Sequence, residues 1–549
     1  MLSVNVESSF QKLQFPRGIV KQPLLGDRGN RGIRFLASLF FFVGLVLGFS
    51  TQASAYQLSF GSEAKLDLKV EEQVRYLRIN DFPLDELNTR PKAAEGGVLF
   101  HRFRFNPEFR FGQSLKAVAR LDFAVLDNLY GFDTEFGKRF YSSIAEQSGR
   151  TRWVDFRELW GSWMTRVGLF KFGQTSAHFG LGLIANSGDK ETGEFSMPRY
   201  GDIVERLMWY IPILRPFTSD AISRKVILAA GADLVFRDEN ANLLEGDFAI
   251  QGVFSLFYRD ITAPGKDESF FGVNVAIRNQ TERDGRKLSA QNFGLAFRFY
   301  IGLTQNLILE LAGEGAWLLG ETTRARTEGA PEGVEINAYG GVGRAFIKFA
   351  NIGIRVGAEL GFASGDNDVD DRVSRRFRFD PDYQPSLILF QRLLGAISAH
   401  NGDRAADPDR VGYPPPGSDQ IPSMGSVAGA YYYQFVLAVA PFTTMKMLKR
   451  LELKAGLLIA GASSDFMDAY NSFRSGGTSH THLKVPSAER RDLGMELNLS
   501  LRYGLKIWKS LDLSLAVLYG HFFPGSIFQD KDGKSEAIDS FQAQMLVRF

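Results

Sequence analysis

The stretch that decides the fold is the end of the chain, Ser540-Phe541-Gln542-Ala543-Gln544-Met545-Leu546-Val547-Arg548-Phe549. Every second residue counted back from Phe549 is apolar, and the other register is mostly polar. Strict alternation of this kind predicts a β-strand with two different faces. A final aromatic residue is unusual in a soluble protein, whose chain ends are usually mobile and polar. It is typical of a strand that closes a membrane barrel, where an aromatic ring sits at the membrane boundary. An amphipathic edge strand of a soluble sandwich remains the alternative for this stretch alone.

The first residues of the chain support the membrane interpretation. Arg28, Arg31 and Arg34 precede an apolar run at 35–49, and Ala53-Ser54-Ala55 follows it. A basic flank, an apolar core of this length and an A-x-A site together predict a secretory signal peptide whose cleavage site includes Ala53 and Ala55. The run is short for a transmembrane helix. We therefore assign 1–55 to an N-terminal extension and signal peptide, and 56–549 to a single domain.

Composition narrows the class of protein further. The chain has no cysteine, which excludes disulfides, a thiol nucleophile and a zinc-thiolate site. Its net charge of +2 over 549 residues gives no reason to expect a nucleic-acid partner. It contains 48 Phe and 56 Gly but almost no helical periodicity. One large all-β unit with aromatic side chains facing lipid accounts for these features together.

Alternation recurs along the chain, and the segment 97–112 shows it well. Phe103, Phe105 and Phe109 occupy one face, and Arg102 and Arg104 occupy the other. Such a strand suits a wall between lipid and water better than a dry core. We predict 18 strands, at 64–79, 97–112, 115–127, 152–165, 167–179, 204–213, 224–237, 245–259, 269–280, 288–302, 305–320, 333–348, 351–364, 425–440, 448–463, 490–506, 509–521 and 537–549.

The connections between these strands indicate how the barrel is organised. Very short turns, such as 112–114 and 303–304, alternate with long connections, such as 128–151 and 365–424. Short periplasmic turns that alternate with long outer loops are typical of an outer-membrane barrel. The predicted fold is therefore an all-β, antiparallel, up-and-down transmembrane β-barrel of about 18 strands with a long outer loop at 365–424. Connections of similar length within 204–290 leave 16 or 20 strands as alternatives.

The inward row of charged side chains is the main candidate site. An excess of arginine on the first three strands predicts a basic stripe that would favour anions. Pairing of opposite charges across neighbouring strands is the structural alternative. The predicted pore-lining residues are Arg75, Arg102, Arg104, Glu108, Arg110, Arg120, Arg298, Arg355, Glu359, Glu496 and Arg502.

Other motifs predict no catalytic, cofactor or metal site. The stretch Gly180–Ala185 matches G-x-G-x-x-A, but a turn follows it instead of the helix that a dinucleotide site needs. The acidic run Asp366–Asp371 lacks the central Gly and the distal Glu of a calcium loop, and arginines follow it. We interpret it as a solvated charge run, with a surface site for divalent ions and lipopolysaccharide as the alternative. His480 and His482 lack a third ligand.

One helix-like segment, Ser386–His400, lies inside the longest predicted loop. Ser386 could act as its N-cap, and apolar residues follow at several spacings. The segment could fold into the lumen as a constriction or plug, or it could cap the outer rim. Both arrangements remain open from the sequence.

The chain resembles bacterial outer-membrane β-barrels of the porin and alginate-export type. Phe541, Met545, Val547 and Phe549 resemble the C-terminal signal that the barrel-assembly machinery reads. The stretch 167–174 (VGLFKFGQ) is similar to a piece of these channels, and 179–189 resembles a segment of uncharacterised predicted barrels.

The resemblance implies a channel in a Gram-negative outer membrane, exported by its signal peptide, through which small hydrophilic solutes, including anions, diffuse passively. It implies no enzyme activity and no cofactor. The expected partners are outer-membrane lipid, lipopolysaccharide, the barrel-assembly machinery and small solutes. A plugged structural or adhesive barrel and an outer-membrane hydrolase are the alternatives.

Overall fold

The computed structural model describes residues 56–61, 63–85, 87–90, 98–127, 152–189, 192–196, 201–217, 220–260, 269–325, 330–368, 371–397, 427–440, 450–465, 481–482, 485–486, 490–508, 511–530 and 532–549. Ala55–Phe549 forms one compact unit. The predicted signal peptide, with Ala53 and Ala55, lies outside the described residues and stays a prediction.

Eighteen antiparallel strands form a closed barrel, as the alternation predicted. Each strand pairs with the next one along the chain, and the last pairs with the first. The strands are β1 Ala64–Ile79, β2 Val98–Phe111, β3 Leu115–Asp127, β4 Arg152–Thr165, β5 Gly168–Ser176, β6 Ile203–Pro212, β7 Val226–Arg237, β8 Phe248–Asp260, β9 Ser269–Thr281, β10 Lys287–Gly302, β11 Leu307–Thr322, β12 Val334–Phe349, β13 Ile354–Ala363, β14 Ala430–Val439, β15 Leu451–Ala462, β16 Asp492–Trp508, β17 Leu511–Pro524 and β18 Ile538–Arg548.

The seam between the two ends of the barrel follows a regular register. Residues 540–548 of β18 pair with residues 71–79 of β1. The backbone N–H and C=O of Phe549 both bond to Val70, at 2.9 and 3.3 Å. A short strand, Tyr56–Phe60, pairs with the first residues of β1, from Ala64 to Leu68, which β18 does not reach. Closure leaves neither barrel edge open, which is how a β-sheet satisfies its backbone groups in lipid.

The two faces of the strands differ as the alternation predicted. In β10, Phe293 and Leu295 are exposed on the outside, and Asn292, Gly294 and Ala296 point inward and are buried. Exposed apolar side chains of this kind surround the barrel and form a belt suited to lipid.

Aromatic side chains border this belt at both ends, as they do in transmembrane barrels. Trp163 and Trp209 lie on the outer face towards the end with the short turns. Trp317, Tyr339 and Tyr433 lie on the outer face towards the end with the long connections. None of the helices in the described part of the chain is long and apolar enough to span a membrane.

Connection lengths differ between the two ends of the barrel as predicted. The turns at 112–114, 166–167, 303–306 and 350–353 all lie at one end, and the strand ends that flank 128–151, 177–202 and 364–429 lie at the other. The uncertain stretch 204–290 contains β6 to β9 and the start of β10, so the strand number is 18 and not 16 or 20.

The hydrophobic core lies inside the barrel, where three connections fold into the lumen. Phe82 belongs to the β1–β2 connection, Phe195 to the β5–β6 connection, and Phe377, Phe379 and Tyr383 to the β13–β14 connection. All five side chains are fully buried. They belong to one apolar cluster with inward side chains of β11 to β18, including Ala316, Phe346, Tyr432, Leu458 and Leu518.

The helix-like segment of the sequence lies within this core. A helical turn spans Leu389–Leu393, and residues 394–397 continue as α-helix. Leu389 and Phe390 have no exposed surface. Of the two arrangements that the sequence left open, the structure shows the one in which the segment lies inside the lumen.

Candidate functional site: the inner wall of the barrel

The inner wall has two parts with different surroundings. We call the inner face of β11 to β18 the covered wall, because the inserted connections pack against it. We call the inner face of β1 to β9 the charged wall, because arginines and carboxylates follow one another along it. A solute that enters the barrel would meet side chains of these two walls and of the inserted connections.

On the covered wall, Glu496 anchors the inserted helical segment. Its Oε1 accepts hydrogen bonds from the backbone N–H groups of Leu387 and Ile388, at 2.7 and 2.9 Å, and its Oε2 accepts one from Leu389, at 2.8 Å. The first N–H groups of a helix have no partner within the helix. A negative carboxylate therefore satisfies them well, and it also suits the positive end of the helix dipole.

Glu359 on β13 makes a second anchor. It pairs with Arg344 of β12 at 2.9 Å, and it accepts hydrogen bonds from the hydroxyl groups of Tyr383 and Tyr432, at 3.0 and 2.6 Å. Burial raises the pKa of Tyr383, which lies in the β13–β14 connection, so its hydroxyl stays protonated and donates. Glu314 on β11 anchors the β5–β6 connection by accepting from the N–H groups of Leu181 and Leu183.

Glycines of the covered wall allow the inserted rings to come close to the strands. A Cβ atom at Gly456 would lie 2.4 Å from Cε2 of Phe195, and one at Gly340 would lie 2.3 Å from Cδ1 of Phe377. Real Cβ atoms essentially never come so close to other atoms. The absence of a side chain at these two positions is therefore part of how the connections fit into the lumen.

The charged wall holds the β5–β6 connection through Asp189. Arg104 of β2 bonds to Asp122 of β3 through two nitrogens, at 2.6 and 2.8 Å, and to Asp189 at 2.7 Å. Arg120 contacts the other oxygen of Asp189 and pairs with Glu158 at 3.1 Å. Burial would raise the pKa of Asp189, but Arg104 and Arg120 hold it below its ordinary value, so this carboxylate remains charged.

Opposite charges also pair across neighbouring strands, as the structural alternative predicted. Arg206 of β6 and Asp233 of β7 form two bonds of 2.7 Å. Arg237 of β7 also pairs with Asp155 at 3.2 Å, although Asp155 lies on β4, which is not a neighbouring strand. Much of the charge that the sequence places on this wall therefore has a structural partner.

Towards the end with the short turns, several cations of the inner wall are more exposed than their partners. The side chain of Arg110 is 51% exposed and that of Glu108, its partner, 14%. Lys116 and Glu108 differ in the same sense, at 36% and 14%, as do Arg548 and Glu71, at 62% and 16%. Lys454 and Glu452 differ in the opposite sense, at 15% and 37%, as do Arg450 and Asp512, at 44% and 56%. In three of these five pairs the positive group is therefore more exposed than the carboxylate.

All eleven predicted pore-lining residues lie on the inner face of the barrel, but they differ in exposure. Arg110 is exposed, whereas Arg75, Arg104, Glu359 and Glu496 are buried. Half-buried residues make up the rest: Arg102, Glu108, Arg120, Arg298, Arg355 and Arg502. Contact of these eleven with a solute stays a prediction.

Sequence reasoning missed the loop acids that bind to the wall. Asp189 is one, and Glu194 is another, since Arg355 bonds to Glu194 at 2.8 Å and Lys454 lies 3.5 Å from it. No pattern could have found them, because irregular connections have no alternation that assigns a side chain to a face.

The other motifs have plain structural roles where they are described. Asp366 accepts hydrogen bonds from the N–H groups of Asp368 and Arg375, and Asp371 pairs with Arg375 at 2.7 Å, so the acidic run is largely paired locally. Residues 180–185 form turns. His480 and the side chain of His482 lie outside the described residues.

Comparisons with known proteins find similar barrels at low sequence identity. The crystal structure of Pseudomonas aeruginosa OccK11 (OpdR) has 13% identity and a TM-score of 0.45 over 88% of this chain and 96% of that one. P. aeruginosa OccK2 (OpdF) in complex with glucuronate has 11% identity and a TM-score of 0.44 over 88% and 95%. Acinetobacter baumannii OccAB1 has 10% identity and a TM-score of 0.45 over 90% and 99%. No family model and no curated protein matches the chain. Similarity at this level carries no argument about function, which must come from the residues of this chain.

Proposed function

We propose that this protein is an outer-membrane channel that lets small hydrophilic solutes cross passively, prefers anions and performs no chemistry on them. The observation that carries the proposal is the unequal exposure of charge pairs on the inner wall. A cation facing water beside a shielded carboxylate gives the lumen a positive local potential, and such a potential attracts anions.

The inserted connections favour a narrow path with fixed walls rather than a wide aqueous pore. Three wall carboxylates, Glu314, Glu359 and Glu496, bind backbone or hydroxyl donors of these connections. A solute would therefore pass beside ordered loops and the charged wall. This arrangement selects by pore width and by charge together.

The outer surface supports placement in the outer membrane. The apolar belt and its aromatic borders fit lipid, with the long connections towards lipopolysaccharide and the short turns towards the periplasm. In this orientation β1 begins and β18 ends on the periplasmic side. We propose that the signal peptide directs export and that Phe541, Met545, Val547 and Phe549 are read by the barrel-assembly machinery.

The proposal is tested by reconstituting purified barrel in planar bilayers and measuring the reversal potential in a KCl gradient. We expect single-channel conductance with chloride favoured over potassium. Replacing an exposed cation, in Arg110→Gln or Lys116→Gln, should lower this preference about two- to five-fold, because a unit charge near the path changes an ion's energy by about 0.5–1 kcal/mol in a watery lumen.

Lys534→Gln is the matched control, because Lys534 is an exposed cation in the β17–β18 connection, away from the inner wall of β2 and β3. It should leave the reversal potential unchanged. A folded barrel that gave no conductance would overturn the channel and favour a plugged structural barrel. Conductance with a cation preference would overturn the anionic selectivity alone.

A further inference from the structure

Three carboxylates meet where three connections converge at the end of the barrel with the long loops. Asp202 ends the β5–β6 connection, Glu239 is the second residue of the β7–β8 connection, and Asp380 lies in the β13–β14 connection. One oxygen from each lies within 4.8 Å of the others. These residues are far apart in sequence, so the fold alone brings them together.

Backbone hydrogen bonds hold Asp202 and Asp380 in place. The N–H of Asp380 donates to the carbonyl of Leu183 at 2.7 Å. The N–H of Asp202 donates to the carbonyl of Asn186 at 2.8 Å, and its Oδ2 accepts from the N–H of Asn186 at 3.0 Å. The cluster is therefore built on ordered backbone and is more than a set of neighbouring surface acids.

Asp380 has one oxygen that the protein leaves without a partner. The residue is 5% exposed. Its Oδ1 accepts from the N–H of Asp382 at 2.7 Å, whereas its Oδ2 is buried and has no hydrogen-bond donor. A buried carboxylate oxygen without a partner costs free energy, and native structures usually satisfy such groups.

The surrounding arginines offset the charge of the cluster only in part. Asp238 and Asp382 add two further carboxylates close by. Three arginines reach this region: Arg278 pairs with Asp238, and Arg324 and Arg378 bond to Asn240. Arg278 and Arg378 also attract Glu239, so the five carboxylates are offset only in part.

We propose that Asp202, Glu239 and Asp380 bind a hard divalent cation, with Ca²⁺ as the first candidate. Carboxylate oxygens are the preferred ligands of such ions, and backbone carbonyls and water can complete the shell. Ca²⁺ accepts irregular geometry with six to eight oxygens, which suits ligands from three separate loops better than the strict octahedron of Mg²⁺ does.

The cation would tie the three connections to one another. The β5–β6 and β13–β14 connections both supply rings to the core in the lumen. Binding at the long-loop end of the barrel therefore stabilises the inserted connections. This effect does not depend on whether the barrel conducts.

The test uses the folded full barrel in detergent, treated with a chelator and then titrated with CaCl₂ in a calorimeter. We expect one saturable site that is filled at about 1 mM or below, the range of extracellular calcium modules.

Asp380→Asn keeps the shape of the side chain and its acceptor for Asp382 but removes the charge, so it should weaken binding more than ten-fold. Glu239→Gln is a second variant with the same expected loss. Glu332→Gln, at an exposed acid in the β11–β12 connection, is the matched control and should bind as the wild type does.

Hydrogen exchange of the β5–β6 and β13–β14 connections gives a second readout. Ca²⁺ should slow exchange in both connections in the wild type but not in Asp380→Asn. Saturable binding that is lost in both cluster variants and kept in the control supports the site. Absence of saturable Ca²⁺ or Mg²⁺ binding by the folded wild type overturns it and indicates that the carboxyls share protons instead. Binding that Asp380→Asn leaves unchanged also overturns it.

Discussion

Glu496 illustrates how one side chain on the barrel wall can position a loop. Its two carboxylate oxygens accept hydrogen bonds from three consecutive N–H groups at the start of the helical segment. The residue is completely buried, so water cannot replace a lost bond. An uncompensated buried donor costs about 1–3 kcal/mol.

Glu496→Gln should therefore loosen the inserted segment without opening the barrel. The amide oxygen can keep the bonds from Leu387 and Ile388, but the amide nitrogen would face the N–H of Leu389, and two donors cannot bond. We expect exchange of the Leu387–Leu389 amides to accelerate about 5- to 150-fold, which corresponds to the loss of about 1–3 kcal/mol. Hydrogen exchange with mass spectrometry measures this effect.

Glu452→Gln is the control for this substitution, because Glu452 is also on the inner wall but pairs with Lys454 and not with an inserted connection. It should leave exchange of the segment unchanged. Equal exchange in Glu496→Gln and the wild type would show that the helical segment does not depend on this carboxylate.

At the scale of single residues, the sequence predicted which face of the barrel a strand residue lies on, but not which residue it bonds to. Alternation correctly places Arg104 and Glu496 on the inner face, because a strand has a period of two. Nothing in the pattern shows that Arg104 binds Asp189 or that Glu496 binds backbone groups. Those partners lie in irregular connections, whose path depends on packing inside the lumen.

At the scale of elements, the covered wall and the inserted connections fit each other through small residues. Phe195 is fully buried against Gly456 of β15, and Phe377 is fully buried against Gly340 of β12. The sequence predicts these strands well, since apolar and polar positions alternate along them. It left the placement of Ser386–His400 open because a short apolar helix suits either a lumen or a rim, and only the shape of the wall decides between them.

Gly456→Ala should displace the β5–β6 connection while the barrel still folds. The new methyl group would overlap the ring of Phe195, and overpacking of this kind costs about 1–3 kcal/mol. We expect faster hydrogen exchange in residues 192–196. The electrophoretic mobility of the folded barrel in an unheated sample should be the same as that of the wild type. Gly315→Ala is the control, because the nearest atom to its Cβ would be the carbonyl oxygen of Gly340 at 3.8 Å, an ordinary contact. If both variants exchanged like the wild type, the close contact at Gly456 would not position the connection.

At the scale of the whole molecule, the barrel depends on one seam. The alternation of short and long connections predicted an even number of strands, and an even number brings the first and last strands together antiparallel. The observed register pairs Tyr76 with Ala543. A slip of one residue would turn every side chain of β18 to the wrong face, so the seam must form in one register.

Deleting Phe549 should reduce the yield of closed barrel more than it alters conductance. The deletion removes both backbone bonds to Val70 and the final ring of the proposed assembly signal. Because the chain has no cysteine, closure can be measured by a cross-link between Tyr76→Cys and Ala543→Cys, which face each other across the seam. Pairing Tyr76→Cys with Gln544→Cys gives the control, since those side chains point to opposite faces and should not cross-link. We expect less cross-linked protein in membranes after the deletion, and normal single-channel conductance from the barrels that do close. A cross-link yield equal to that of the full chain would contradict a role for Phe549 in assembly.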